Sequence, residues 1–541
     1  MLAPPEWGAL SPIAMPGGLR SLGGDWLGGA PRTEALLPPA LVDEPDRAAA
    51  SAVAAQRRPH PGVIRALETE PANRRPEARG GLDALVAGEA VVVVTGQQAG
   101  FLGGPLYTFH KAMSAVAMAE SLSLAQGRPH VALFWVQDED HDFAEVAQAS
   151  WLNEAGLVTD GAAPDQTRIP VGERAVDADA ARAAERAVGD HRDSPYADEL
   201  QAFCRPWAEV GAGWSDAFVR SLLSLLGPVP LLFLRGRSRE LARAAALTHR
   251  RVLAMDAEVE AALVEGAEAV RAAGFRVQVA VRRGCTLAFH HPDGEGGARH
   301  RLDRCPDGFL LPEGRPVSRE ALLERLDRDP LSFSTSALLR PLVQDRLLPA
   351  AFQVVGPGEA AYLGQLGPLR ALLGVPASRP VPRGRGRWIE PAIRRRLEAL
   401  RLSADEACGD PTRILAERGP AHLSPERLRS RLLEPLLERL DALEAEGLDP
   451  RLVPALDRTR VSVARNLSRF VGRAARVAAE QDAVSARRLA EVRRALLPGG
   501  CPQERFLSVV GLLARYGAAR LRQVFLETYR PFGTAPMELR P

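Results

Sequence analysis

The chain has 541 residues, 46% apolar and 25% charged, the balance of a globular protein with material for a sizeable core. That length calls for more than one domain. The 69 basic and 67 acidic residues leave a net charge of +2, which excludes the basic excess of a dedicated nucleic-acid binder and gives no attraction to a membrane surface. No stretch reaches the ~18 uncharged apolar residues of a membrane span, and no basic start with an apolar run marks a secretory signal. Five scattered cysteines without a C-x-x-C pair support neither a disulfide framework nor a thiolate zinc site. The expected compartment is the cytoplasm.

Basic residues are almost all Arg: Lys111 is the single lysine among the 69. Arg serves at a surface charge, but not where a compact ammonium or a change of protonation is needed. Lys111 is therefore expected to have a specific role.

Residues 1–30 read as an irregular, Gly- and Pro-rich lead-in, and 46–88 as helix interrupted near Pro59–Pro61 and Pro71. The β-branched run Ala90–Thr95, ended by Gly96, reads as a buried parallel strand. A helix over 105–126 and a second apolar run, His130–Val136, complete a βαβ unit. Further strands are expected at Val229–Leu234 and Ala350–Val355, giving a doubly wound sheet. Less regular inserts fall at about 150–225 and 275–330, and the polar stretch His290–His300 reads as a hairpin or surface loop.

From Trp388 the composition is helix-forming. Leu456, Val463, Phe470 and Val477 recur every seven residues, with Leu467 and Ala474 between them and Arg460 breaking the stripe. Leu428, Leu432, Leu436, Leu440 and Leu443 form a second apolar face, which Pro435 should disturb. Joined near Gly447–Pro450, the two make an antiparallel coiled-coil hairpin over 388–495. Residues 496–541 return to the core unit of 1–387.

Three stretches carry candidate chemistry. In the first, Thr95-Gly96-Gln97-Gln98 leads through Gly104, Pro105, Tyr107 and Thr108 to His110 and Lys111 at a helix start. Glycines bring backbone amides close to a ligand, and a helix N-terminus favours anions, so Lys111 is expected to bind phosphate or carboxylate there. Neither Walker A nor G-x-G-x-x-G fits. In the second, Trp135 precedes Asp138, Glu139, Asp140, His141 and Asp142 at a strand end. A His–carboxylate pair can act as base or hold a divalent ion; the same residues also suit an acidic helix start capped by Asp138. In the third, Arg340 and the strand before Gly356, Pro357, Glu359 and Tyr362 repeat the strand–Gly turn–helix pattern, with Glu359 a candidate cap.

Together, T-G-Q-Q-A-G-F-L-G-G-P-L-Y-T-F-H-K, F-W-V-Q-D-E-D-H-D-F, and R-P-L-V-Q-D followed by V-V-G-P-G-E-A-A-Y resemble the bacillithiol biosynthesis cysteine-adding enzymes over nearly the whole chain. The resemblance implies an α/β fold: a Rossmann-like parallel-sheet core with two connecting inserts and an antiparallel α-helical coiled-coil arm that dimerises. It implies a ligase joining cysteine to glucosaminyl-malate, using ATP with Mg2+ and no tightly bound zinc. Thr95–Gln98, Gly104–Lys111, Asp138–Asp142, Arg340 and Gly356–Tyr362 would line the site, with Lys111, His110, Asp140 and His141 catalytic. The chain departs from the family pattern at Leu287 and Ser336, where Asn is usual, and at Arg235–Arg237, where an acidic stretch is usual.

Two other readings fit the same residues. One is a metal-dependent hydrolase or deacetylase with Asp138, Asp140 and His141 as ligands. The other is a nucleotide-binding coiled-coil scaffold. The Arg- and Gly-rich stretch Arg383–Arg387 offers a second place for phosphates.

Overall fold

The computed structural model describes residues 21–418, 425–480 and 483–541, so the expected lead-in before residue 21 lies outside them. Within it, Leu22–Leu27 is a short helix capped by Ser21, against the irregular reading. The chain forms two compact units: residues up to 387 together with 504–539, and 388–503 together with the last two residues.

The first unit is built on five parallel strands: β1 (Val91–Gln98), β2 (His130–Gln137), β3 (Leu231–Arg235), β4 (Ala350–Val355) and β5 (Arg379–Pro382). Their order is β5-β4-β1-β2-β3, every pair parallel. Val91–Val94 are fully buried, because helices cover both faces of the sheet; hence an unbroken β-branched run rather than an alternating one. The helix Tyr107–Gln126 links β1 to β2.

Gly96 does not end β1. Pairing with β2 runs on through Gly96, Gln97 and Gln98. A Cβ at Gly96 would lie 2.5 Å from the Trp135 carbonyl oxygen, so glycine is what lets the two strands close up here. Trp135 is 1% exposed and belongs to the hydrophobic core. It packs the sheet and does not face substrate, contrary to the sequence expectation.

The first insert holds a hairpin, Gln148–Leu152 with Leu157–Gly161, and three helices. Its Trp207 and Trp214 close on Phe101 and Phe143 at ring separations of 4.9–5.1 Å. The second insert is a small antiparallel sheet in which Cys285–His290 lies between Phe333–Ser334 and His300–Cys305. The stretch between His290 and His300 does connect a hairpin, but His291 and Arg299 within it are buried.

In the second unit, Pro425–Leu428 and Glu434–Ala445 flank a π-helical turn at Arg429–Leu433. Pro435 has no N–H for residue 431, and the wider turn absorbs the misfit. The long helix Val453–Glu480 runs back antiparallel: Arg460 pairs with Asp441, and Ala416 packs on Ala475. The Arg that interrupts the apolar stripe is thus an interhelical ion pair.

His249, on the helix Arg239–Ala254, is buried, and neither ring nitrogen has a hydrogen-bond partner among the described residues. Burial lowers its pKa from 6.5 to about 4, so it is neutral in the fold, whereas in the unfolded chain it takes up a proton below 6.5. Unfolded chain therefore binds more protons between pH 6.5 and 4, and stability falls as pH falls through that window. His249→Phe is expected to lessen this loss by up to about 1.4 kcal/mol per pH unit, measured by urea unfolding at several pH values; an unchanged pH slope would contradict the assignment.

Candidate active site

The chain leaves β1 for β2 and β3 on one side, and returns to β4 and β5 on the other. The carboxyl ends of β1 and β4 therefore flank the crevice in which open α/β sheets bind ligands. Gln97 and Gln98 end β1, Gly356–Glu359 follows β4, and Asp138–Asp142 follows the neighbouring β2.

Lys111 lies beneath this crevice, 3% exposed. Its three N–H bonds are all used within the protein: Nζ donates to the Gly96 carbonyl at 2.7 Å, to Gln97 Oε1 at 2.9 Å and to Glu359 Oε2 at 2.5 Å. Burial lowers its pKa, and the nearby Arg383 and Arg340 add to that, while Glu359 opposes them. Three acceptors converging on one atom suit an ammonium better than a planar guanidinium. The carboxylate that Lys111 holds is the protein's own Glu359. The lysine is not free to bind phosphate.

Glu359 also accepts from the Gly356 N–H at 3.0 Å, so it is a helix cap and an ion-pair partner at once. Gln97, held through its carbonyl oxygen, turns its Nε2 to the Tyr107 hydroxyl at 3.3 Å. Burial pushes the Tyr107 phenol up to about 12. Arg340 donates to Gln344 at 2.7 Å and to the Tyr362 hydroxyl at 3.4 Å, closing the β4 side.

The acidic stretch is not a helix start: a single 3-10 turn, Phe143–Glu145, leads on to an extended strand. The helix-cap reading falls, and the carboxylates divide by partner. Asp138 is buried, accepts from the Arg237 amide at 2.8 Å, and is raised by burial. Glu139 accepts from the Thr335 amide and hydroxyl at 3.2 and 2.5 Å, and is likewise raised by burial. Both are structural ties to neighbouring loops. Asp140 and His141 instead meet the buried Arg299, whose Nη1 is 2.8 Å from Asp140 Oδ1 and 2.9 Å from His141 Nδ1. Burial pushes Asp140 up, but Arg299 and the His141 N–H outweigh it and hold the carboxyl below its ordinary range. Gln98 Nε2 reaches Asp140 Oδ2 at 3.3 Å and Glu145 Oε2 at 3.1 Å, so the adjacent Gln97 and Gln98 join the lysine and arginine clusters. Asp142 is exposed.

Beside Asp140 and His141 opens a cavity of about 180 Å3, lined also by Arg299, Arg301, Leu287 and Ser336. Leu287 and Ser336, two of the three places where the sequence resemblance breaks, therefore line this cavity. At the third, Arg235 and Arg237 form ion pairs with Glu70, Asp216 and Glu173.

Several expected site residues do other work. The Thr95 hydroxyl donates to the Val354 carbonyl at 3.1 Å, tying β1 to β4. His110 is fully buried against Phe109 and Phe525 and faces Glu504; it cannot reach the crevice. Arg383 grips the same Glu504 at 2.6 and 3.0 Å, so it is not open to phosphate. Thr108 is buried too. The Gly-rich turn is a packing device: Phe101 and Leu102 are wholly buried, and the amides of Gly100, Phe101 and Gly104 donate within the protein. Gly104 takes φ +70°, and Pro105 follows it into the helix. The Leu106 and Thr108 N–H groups at the helix start donate to the Leu507 and Pro105 carbonyls, so these two amides are spent within the protein. Arg299 and Glu504 were not foreseen, since one arginine among so many carries no signal.

Removing either charge of the Lys111–Glu359 pair strands the other where it is poorly hydrated. Lys111→Met alone is expected to destabilise by about 3 kcal/mol or more, and Lys111→Met with Glu359→Gln by clearly less. Lys111→Arg, too bulky and wrongly shaped, should cost about 1–3 kcal/mol. Chemical denaturation of the parent, these three variants and Glu359→Gln alone checks this; a double-variant loss equal to the sum of the two single losses would contradict a coupled pair.

Two family models match the chain in succession: the bacillithiol biosynthesis BshC N-terminal Rossmann-like domain over residues 49–384, and the BshC C-terminal coiled-coil domain over 388–532. Among relatives named "Putative cysteine ligase BshC", one from Koribacter versatilis is 30% identical over 91% of this chain and 92% of its own length. One from Thermus thermophilus is 31% identical over 80% and 86%, and one from Salinibacter ruber 30% over 87% and 88%. Matched along both units and over most of each relative's length, the chain belongs to the BshC family of bacillithiol biosynthesis.

Proposed function

We propose that this protein is a cytoplasmic ligase joining the carboxylate of cysteine to the amino group of glucosaminyl-malate, the last step of bacillithiol formation. The observation that carries this reading is the near full-length similarity to relatives named as cysteine ligases. The polar crevice supports it. Gln97, Gln98, Tyr107, Asp140, His141 and Asp142 lie at or beside the strand ends, and offer donors and acceptors for a small polar substrate.

Amide formation from a free carboxylate requires activation, and ATP with Mg2+ is the reagent proposed. The two groups expected to take its phosphates, Lys111 and the start of the following helix, are engaged by Glu359 and by Leu507. No residue is therefore assigned to the nucleotide and no step is routed through it. The hydrolase reading is disfavoured by a positive observation: Arg299, a fixed cation, lies 2.8 Å from Asp140 Oδ1 and 2.9 Å from His141 Nδ1, where it repels a metal ion and takes one lone pair of each. No helix among the described residues is long and apolar enough to cross a membrane.

The arm suggests a second copy as partner. Phe470 and Val477 are 52% and 49% exposed, and Val484, seven residues further on, is exposed as well. An apolar stripe at that spacing suits coiled-coil pairing.

Two measurements test these readings. Incubation with ATP, cysteine and glucosaminyl-malate, followed by mass spectrometry, is expected to show the amide product and stoichiometric ADP or AMP. Nucleotide turnover without amide would instead favour the scaffold reading, and no turnover of either kind would sink the ligase. Phe470→Glu is expected to weaken self-association by about tenfold or more, read by light scattering; an unaltered dimer, or a monomeric parent protein, would contradict pairing through this stripe.

A further inference from the structure

We infer that His141 meets the substrate as a neutral hydrogen-bond donor through Nε2–H, and that Arg299 is the positioning residue that fixes this tautomer. The inference rests on the ligase reading only for the identity of the oxygen that accepts the bond.

A guanidinium carries five N–H donors and no acceptor. Arg299 is 3% exposed and its head group is held on every side. Nη1 donates to Asp140 Oδ1 and to His141 Nδ1, Nε donates to Ser334 Oγ at 3.0 Å, and Nη2 donates to the Thr335 carbonyl. Its flat face lies over the Phe289 ring at 3.7 Å. It cannot swing away. Nδ1 of His141 therefore offers its lone pair to Arg299 at 2.9 Å: an N–H there would meet another N–H, and its other neighbour, Asp140 Oδ1, stands off at 3.5 Å and already accepts from Arg299. The proton of the neutral ring is left on Nε2.

A second proton is opposed as well. Burial, then Arg299, with Arg168 and His300 beyond, lower the His141 pKa from 6.5 to about 4 against the pull of Asp140. Among the described residues no group bonds Nε2, and the ring lines the 180 Å3 cavity. The N–H is thus presented, unspent, to whatever occupies that space.

This reverses the role expected from the sequence. With one lone pair taken and the other nitrogen protonated, His141 cannot accept the amine's proton. The carboxylates left for that on the same loop are the exposed Asp142 and Glu145. A neutral imidazole placed as a donor can still stabilise negative charge on a substrate oxygen.

The test uses the full-length protein labelled with 15N-histidine. Long-range 1H–15N correlation at pH 7, with the His141 signals identified by their loss in His141→Gln, is expected to show the neutral Nε2–H form. An Nδ1–H form or an imidazolium would overturn the proposal. In Arg299→Met the signals should move to a mixture of tautomers; if that variant does not fold, the parent spectrum still decides. In the ligation assay His141→Ala should lose about 10²-fold in turnover. His141→Gln, which keeps a donor near Nε2 but cannot take a proton, should stay within about tenfold of the parent. Equal loss in both would mark a base and overturn the proposal. Absence of ligation by the parent protein would sink the ligase reading while leaving the tautomer measured.

Discussion

A single buried ammonium organises the crevice. Lys111 joins the end of β1, through Gly96 and Gln97, to the loop after β4, through Glu359. These strands are neighbours in the sheet but far apart in sequence, and their loops diverge where the direction of winding reverses. Backbone pairing stops there, so something else must hold the two loops at a fixed separation. An ion pair shielded from water does so with more force than the same pair at a surface. The arrangement also accounts for a lysine in a chain that otherwise uses arginine: three acceptors converge on a space that only a compact cation fills.

Arg299 plays the corresponding part on the other side. It arrives from the second insert and locks Asp140 and His141 to each other and to the loop at Ser334 and Thr335. Gln97 answers to the lysine, and its neighbour Gln98 to Asp140 and Glu145. Two adjacent side chains on one strand thus carry the geometry of one cluster to the other. Alternation along a β-strand points them to opposite sides, which is why a Gln-Gln pair suits this place. The crevice is therefore stiffened by fixed cations, and Asp140, His141 and Arg299 line the cavity beside it.

Much of the fold was legible in the chain because the signals were local. A run of valines reads as a strand buried on both faces, and Ala350–Val355 has the bounds foreseen. The seven-residue stripe foretold the arm, and Pro435 the place where its helix widens. The site was legible as a region and misread in its parts. Glycines after a strand suggested a ligand cradle, yet here they let Phe101 turn inward against Trp207 and Trp214, with Leu102 buried as well. His110 beside Lys111 looked like a catalytic pair, but one helical step moves a side chain about a quarter of the way round the axis, and His110 faces Glu504 instead. Asp138–Asp142 looked alike in sequence; only the partners, all distant in the chain, tell the ties from the working groups. Long-range partners leave no local trace.

Lys111 and Glu359 thus couple two loops rather than cap one helix. Hydrogen exchange by mass spectrometry on Glu359→Gln tests this coupling most directly, since glutamine can still accept from the Gly356 amide but carries no charge for the lysine. The account predicts faster exchange in 95–98 and in 356–362 together, with residues 425–480 unaffected. Faster exchange confined to 356–362 would contradict it, and would reduce Glu359 to a helix cap.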